Sequence, residues 1–211
     1  MGDQSNDLES EDFSEKMKEG TNYLIIGVSG TTNAGKTSLV AKLKKMFPQA
    51  ETTCLDKYFL EPDDERLTPY IVPEVDHVNW EQLGALDMDR MLQDVDKWRA
   101  GSSGRVPGPM PILIIEGFLV FNHSVLTEYC HKKYFLTIDK ETCFERRKRR
   151  CYNPPDKPGY FEKVVWPMYL KNRKEMEAQT DIVYLDGTED QDKVFSQIAA
   201  DIKQLIDTHS S

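Results

Sequence analysis

Residues 30–37, Gly-Thr-Thr-Asn-Ala-Gly-Lys-Thr, follow the spacing Gly-x-x-x-x-Gly-Lys-Thr. Glycines at these positions let successive backbone N–H groups curl around a phosphate, and the N-terminus of a following helix adds partial positive charge. Lys36 can reach the transferring end of a triphosphate, and the Thr37 hydroxyl can ligate magnesium. The bland alternative is a glycine loop that only turns the chain. Two carboxylates stand where such a loop would use them. Asp56 directly follows a short strand-like segment and suits a base or orienting acid at the sheet's C-terminal edge; otherwise it is a surface acid or a helix cap. Glu116 follows four aliphatics, Ile112-Leu113-Ile114-Ile115, and precedes Gly117, the place of an acid that holds magnesium directly or through water. A strand-end acid facing solvent is its plain reading. The run Arg146-Arg147-Lys148-Arg149-Arg150 puts Arg146 and Arg150 four apart, on one face of a helix and able to swing over a triphosphate, while Arg147 is directed elsewhere. A solvated charged face and a nucleic-acid surface compete with this lid.

These groups need elements to hold them. Tyr23-Leu24-Ile25-Ile26-Gly27-Val28 is an apolar run suited to a strand buried on both faces. From Thr37 the apolar residues Leu39, Val40, Leu43, Met46 and Phe47 recur at helical spacing until Pro48. A second strand is predicted to end near Cys54-Leu55, and 61–79, with Pro62, Pro69 and Pro73, reads as an irregular loop. A helix is predicted over 83–98, closed by the Gly/Pro/Ser segment 101–109. Strands at 111–115, 133–138 and 182–185 alternate with helices at 140–150 and 168–178, a proline-rich turn at 153–159, and a last helix carrying Val194, Ile198, Ile202, Leu205 and Ile206. Strands alternating with helices predict an α/β fold, a central parallel sheet covered on both faces.

At 211 residues and 24.3 kDa the chain fits one domain with a sizeable core. Residues 1–20 hold seven acids against two lysines, and so −5 of the net −9; they read as a disordered acidic tail before a single domain over 21–208. The acidic balance offers no general attraction for nucleic acid or anionic membrane. Cys54, Cys130, Cys143 and Cys151 lack Cys-x-x-Cys pairing, no signal-peptide pattern opens the chain, and the four histidines lack metal-ligand spacing. Reduced thiols in a cytoplasmic protein are the expectation.

Several blocks together resemble a known family. They are Gly-Val-Ser-Gly-Thr-Thr-Asn-Ala-Gly-Lys-Thr (27–37), Ile-Leu-Ile-Ile-Glu-Gly-Phe-Leu-Val-Phe (112–121), Pro-Pro-Asp-Lys-Pro-Gly-Tyr-Phe (154–161), Val-Trp-Pro-Met-Tyr-Leu-Lys (165–171) and Val-Tyr-Leu-Asp-Gly-Thr (183–188). They are similar to the P-loop nucleoside kinases and, within them, to the nicotinamide riboside kinases. The resemblance implies a three-layer P-loop kinase fold with a helical lid over about 141–160, and transfer of the ATP γ-phosphate to the 5′-hydroxyl of nicotinamide riboside, with nicotinic acid riboside as a second acceptor. It implies that ATP lies against Gly30, Thr31, Thr32, Asn33, Ala34, Gly35, Lys36, Thr37 and Ser38, with Arg146, Arg150, Cys151 and Tyr152 from the lid. Thr188, Glu189, Asp190 and Gln191 fall near the family's adenine pocket. Asp56 falls on the proton acceptor, and Thr37, Asp56 and Glu116 on or near magnesium.

For the acceptor, Asp56, Lys57, Tyr58 and Phe59 would wall the pocket, and Trp80 and Tyr152, with Asn153 beside it, fall where the family sandwiches the nicotinamide ring. Glu81 and Arg147 fall where it grips the ribose hydroxyls. A cationic flat ring is attracted to aromatic faces, which agrees with Trp80 and Tyr152 on independent grounds. The chain departs from the family pattern at Lys57, Trp80 and Glu81 and has a longer 61–79 segment, all around the acceptor. The implied partner is a small nucleoside bound by a monomer. A uridine or cytidine kinase is the first alternative. A GTPase-like switch, for which the Asn-Lys-x-Asp signature is missing, and a non-catalytic nucleotide-binding protein are more distant ones.

Overall fold

The computed structural model describes residues 22–103 and 109–209. The expected acidic tail, and most of the segment expected to close the helix after Trp98, lie outside the described residues. The main sheet has five parallel strands: β1 Leu24–Gly30, β2 Ala50–Cys54, β5 Ile112–Glu116, β6 Lys132–Thr137 and β7 Ile182–Asp186, in the order β2-β5-β1-β6-β7. The central strands β1 and β5 are buried throughout, as their unbroken aliphatic runs require; the edge strands β2 and β7 mix buried and exposed positions.

Alternation along β1 divides the core. Leu24, Ile26 and Val28 pack on one side with Leu39, Val40 and Leu43 of α1 (Lys36–Met46) and Val194, Ile198 and Ile202 of α6 (Gln191–His209). On the other, Ile25, Leu113 and Ile115 meet Met91 and Val95 of α2 (Met88–Ser103) and Leu126 of α3 (Ser124–Tyr129). A strand's period of two thus becomes a three-layer sandwich, with the strands' C-terminal ends opening on one rim. Two more helices, α4 (Lys140–Arg147) and α5 (Trp166–Glu175), lie on either side of the proline-rich turn. Among the described residues no helix is long and apolar enough to cross a membrane.

Three expectations are corrected. The segment 61–79 is not an irregular loop: 3-10 turns at Glu65–Tyr70 and Pro73–Val75 flank a small antiparallel ribbon, β3 Ile71–Val72 with β4 His77–Val78. Proline blocks longer helices there but tolerates such short turns. The helix expected over 83–98 begins only at Met88, after a separate 3-10 turn at Leu83–Ala85, because an extended Leu86 bridges to Phe59. The helix expected over 140–150 stops at Arg147, and Arg149 and Arg150 donate their N–H groups back to Arg146 and Arg147, a tightened i→i+3 ending. Like charges in successive turns disfavour continuation, and Pro154 and Pro155 lie just ahead.

Candidate active site

The loop between β1 and α1 is folded by residue-level constraints. Gly30 has φ 143°, and a Cβ there would stand 2.3 Å from the Leu136 carbonyl of neighbouring β6. Asn33 and Gly35 are also left-handed, at φ 61° and 96°. Gly35 caps α1 without a side chain and no acid occupies the first helical turn, so the positive end of the helix is left for an exogenous anion. The Lys36 ammonium donates to the Gly30 and Thr31 carbonyls at 3.1 and 2.9 Å. Burial lowers its pKa, while Asp56 and Glu116 favour the charged form.

Register explains how the two acids reach this loop. Glu116 of β5 pairs with Val28 on one side and Cys54 on the other, so the end of the sheet presents the loop, Glu116 and the start of the Asp56 turn in one row. Asp56 is exposed in the 3-10 turn Leu55–Tyr58, within electrostatic reach of Lys36, Glu116 and Cys54. Burial raises the Glu116 pKa; hydrogen bonds from Thr37 and Cys54, and the Lys36 charge, oppose that rise. The buried Oε2 of Glu116 has no hydrogen-bond partner among the described residues. A carboxylate with an unsatisfied oxygen beside the Thr37 hydroxyl fits a hydrated divalent cation. Burial and the neighbouring carboxylates push the Cys54 thiol up to about 12.

The lid residues divide three ways. Arg146 donates to the Asn33 and Gly187 carbonyls, both at 3.2 Å, fastening the phosphate loop to the turn after β7. Arg147, expected off the face of Arg146 and Arg150 and, by the resemblance, alongside Glu81, is the buried centre of a polar cluster. It donates to Glu81 at 3.2 Å and to both oxygens of Asp156 at 2.6 and 3.0 Å, and it lies 4.3 Å over the Tyr152 ring. Burial works against its charge, but the Asp156 and Glu81 carboxylates outweigh it, so its pKa is raised. Burial raises the Glu81 pKa and Arg147 pulls it back. Arg150 lies past the end of α4 and shares no helix face with Arg146. Cys151 and Asn153 are exposed, and the Tyr152 hydroxyl donates to Asn33 Oδ1 at 3.2 Å.

Two recesses flank the loop. One is lined by Ala34, Gly35, Leu39, Lys42, Leu136, Gly187, Glu189, Gln191 and Val194. Of the expected 188–191 set, Glu189 and Gln191 line it, whereas Thr188 bonds back to Asp186 and Asp190 caps α6. Leu39 and Lys42 were legible only as one face of α1. The other recess runs from Gly30 and Thr32 past Glu81 to Phe118, Tyr169, Asn172, Arg173 and Met176. Phe59 meets Trp80 edge to face at 5.7 Å and stacks on Phe118 at 6.0 Å. Of the other expected acceptor residues, Tyr58 has its ring buried toward α2, its hydroxyl donating to Asp94 at 2.9 Å, and Lys57 is exposed, its carbonyl taken by Arg90. Phe118 and Asn172 were missed, since nothing local marks an aromatic after Glu-Gly or a helix-borne amide as a site residue.

The family model described as an AAA domain matches residues 26–167. Nicotinamide riboside kinase 1 of Rattus norvegicus is 42% identical over 192 residues, covering 87% of this chain and 95% of that protein. The uridine kinase of Chlamydia pneumoniae is 25% identical over 171 residues, covering 72% and 73%. Among solved structures, a gluconokinase from Sinorhizobium meliloti superposes with a TM-score of 0.51 at 12% identity, covering 90% of this chain and 97% of that one, a likeness of fold.

Proposed function

Since the chain belongs to the nicotinamide riboside kinase family, we propose that it transfers the γ-phosphate of ATP to the 5′-hydroxyl of nicotinamide riboside, giving nicotinamide mononucleotide for NAD synthesis. The observation that carries the reading is the buried Glu81–Arg147 pair, 3.2 Å apart, whose guanidinium also comes within 3.5 Å of the Thr32 hydroxyl of the phosphate loop. A charged pair able to hold adjacent hydroxyls thus borders the phosphate cradle, as phosphorylation of a ribose requires and a nucleotide switch does not.

The backbone of 30–35 and Lys36 hold the β- and γ-phosphates, and the recess at Leu39, Glu189 and Gln191 takes the adenine. Thr37 and Glu116, with Asp56, would hold magnesium, which when bound neutralises charge on the phosphate oxygens. Asp56 takes the proton of the 5′-hydroxyl as that oxygen bonds to the γ-phosphorus; the bond to the β,γ-bridging oxygen breaks and ADP leaves. Trp80, Phe59 and Tyr152 offer aromatic faces to the cationic ring, and Glu81 and Arg147 orient the ribose. The segment 141–160 closes as a lid, with Arg146 and Arg150 toward the phosphates. We read the protein as a cytoplasmic monomer that also accepts nicotinic acid riboside.

A coupled assay with purified protein, ATP, magnesium and a panel of nicotinamide riboside, nicotinic acid riboside, uridine and cytidine tests this. Highest kcat/KM for nicotinamide riboside is expected; faster turnover of uridine would overturn the acceptor assignment.

A further inference from the structure

The blocks 154–161 and 165–171 are the most distinctive parts of the sequence, yet transfer chemistry gives most of their residues no task. Two side chains after the lid turn reach across the molecule to the backbone of the segment carrying Trp80 and Glu81. Tyr160, just before the turn Phe161–Val165, accepts a hydrogen bond from the Trp80 N–H at 3.0 Å and donates one to the Val78 carbonyl at 3.0 Å. Asn172 of α5 donates from Nδ2 to the Glu81 carbonyl at 3.0 Å. Both are at least nine-tenths buried, at 1% and 9% exposure. Asn172 is itself fixed, since Asn122 donates to its carbonyl at 2.9 Å.

We infer that Tyr160 and Asn172 are positioning residues for acceptor recognition, a staple that sets the height and rotation of the Trp80–Glu81 segment against Arg147 and the phosphate loop. The inference rests on the reading that Trp80 and Glu81 touch the acceptor. Residues 79–82 belong to neither a helix nor a strand, so no repeating backbone ladder holds them. Apart from the Glu81 side chain's pairing with Arg147 at 3.2 Å, the remaining bonds are short-range, with Glu81 N–H donating to Asn79 Oδ1 at 3.1 Å and Gln82 Nε2 reaching the Asn79 carbonyl at 3.4 Å. They shape the turn without tying it to the rest of the protein. Asn79 N–H does donate to the Tyr70 carbonyl at 2.7 Å, but that fastens the segment only to the neighbouring 3-10 turn. The long-range anchors of the Trp80 and Glu81 backbone come from Tyr160, at the very end of the lid segment, and from Asn172 of α5, so acceptor geometry is inherited from α5 and its approach. Burial and the nearby Glu81 charge hold the Tyr160 phenol well above its ordinary pKa, so it remains a donor throughout the neutral range.

Tyr160→Phe removes the hydroxyl while keeping the ring that packs against His77 at 4.8 Å. Asn172→Asp keeps the size, loses the donor and opposes a carboxylate to the Glu81 carbonyl. Each variant is expected to raise the acceptor KM about five- to tenfold with kcat within about twofold and the ATP KM unchanged. A purely structural role would instead lower the melting temperature and the active fraction, leaving both KM values in place. That result, or parallel rises in the KM of ATP and acceptor, overturns the staple. Should one variant fail to fold, the other decides. If the wild-type enzyme prefers uridine, the acceptor assignment fails by itself, and the same KM split is measured with uridine.

Discussion

At the scale of single residues, the division of labour follows from local dielectric and partners. Lys36 is half-buried and desolvation pushes it toward deprotonation, yet the two acids beside it favour its charge, so a bound triphosphate adds to a field already arranged to hold the ammonium. Cys54, with its thiol pushed up to about 12, stays protonated and serves as a hydrogen-bond donor to Glu116 rather than as a nucleophile. Asp56 is the exposed member of the trio, reachable by an acceptor hydroxyl. Under the proposed mechanism, removing it deletes the base and leaves the cradle intact, because none of the loop's backbone geometry depends on its side chain. Asp56→Ala is therefore expected to lower kcat by roughly 10²- to 10⁴-fold while the ATP KM moves less than about threefold. Steady-state kinetics with saturating magnesium checks this; near-wild-type turnover would remove Asp56 from the mechanism.

At the scale of elements, the site depends on how closely neighbouring turns approach. Gly117 follows Glu116, and a Cβ at this position would stand 2.6 Å from Leu55 Cβ, at the foot of the 3-10 turn that carries Asp56. Leu55 is fully buried and cannot swing aside, so Gly117→Ala must push the turn away from the end of β5. A stability loss of about 1–3 kcal/mol is expected, as for overpacking elsewhere. A drop in kcat larger than any change in ATP KM should accompany it, read by denaturant melts and kinetics on one preparation. Unchanged kcat in a stably folded variant would show that the Asp56–Glu116 spacing is not critical. Spacings of this kind also mark the limit of what the sequence discloses. Lys36, Thr37, Asp56 and Glu116 were legible because each sits at a strand end or helix start that periodicity reveals, and β1, β5 and α1 were legible for the same reason. The early end of α4 was not, because i→i+3 tightening competes with helix continuation by small energies. Nor was the bidentate closure of Asp156 on Arg147, which depends on how a proline-rich turn folds back in space.

At the scale of the whole molecule, the two hydrophobic cores on opposite faces of the sheet fix the strands, and the rim where those strands end brings the phosphate loop, Glu116 and the Asp56 turn together. The two recesses lie on either side of one loop, and their linings are drawn from α1, β6, α5, α6 and the turn after β7 together. A ligand that binds only the folded chain stabilises it by about 2.7 kcal/mol at a hundredfold excess over Kd, which for a protein of this size corresponds to a melting shift of roughly 5–11 °C. Thr37 is exposed at the start of α1, so Thr37→Ala should leave the ligand-free melting temperature within about 1–2 °C of wild type. If its hydroxyl serves magnesium, the extra stabilisation that magnesium adds to ATP should shrink in this variant, while the smaller shift given by ATP with a chelator should persist. Differential scanning fluorimetry with ATP alone, ATP plus magnesium, and ATP plus chelator separates these cases. Equal magnesium-dependent shifts in both proteins would move the metal away from Thr37 and leave Glu116 and Asp56 as its protein partners.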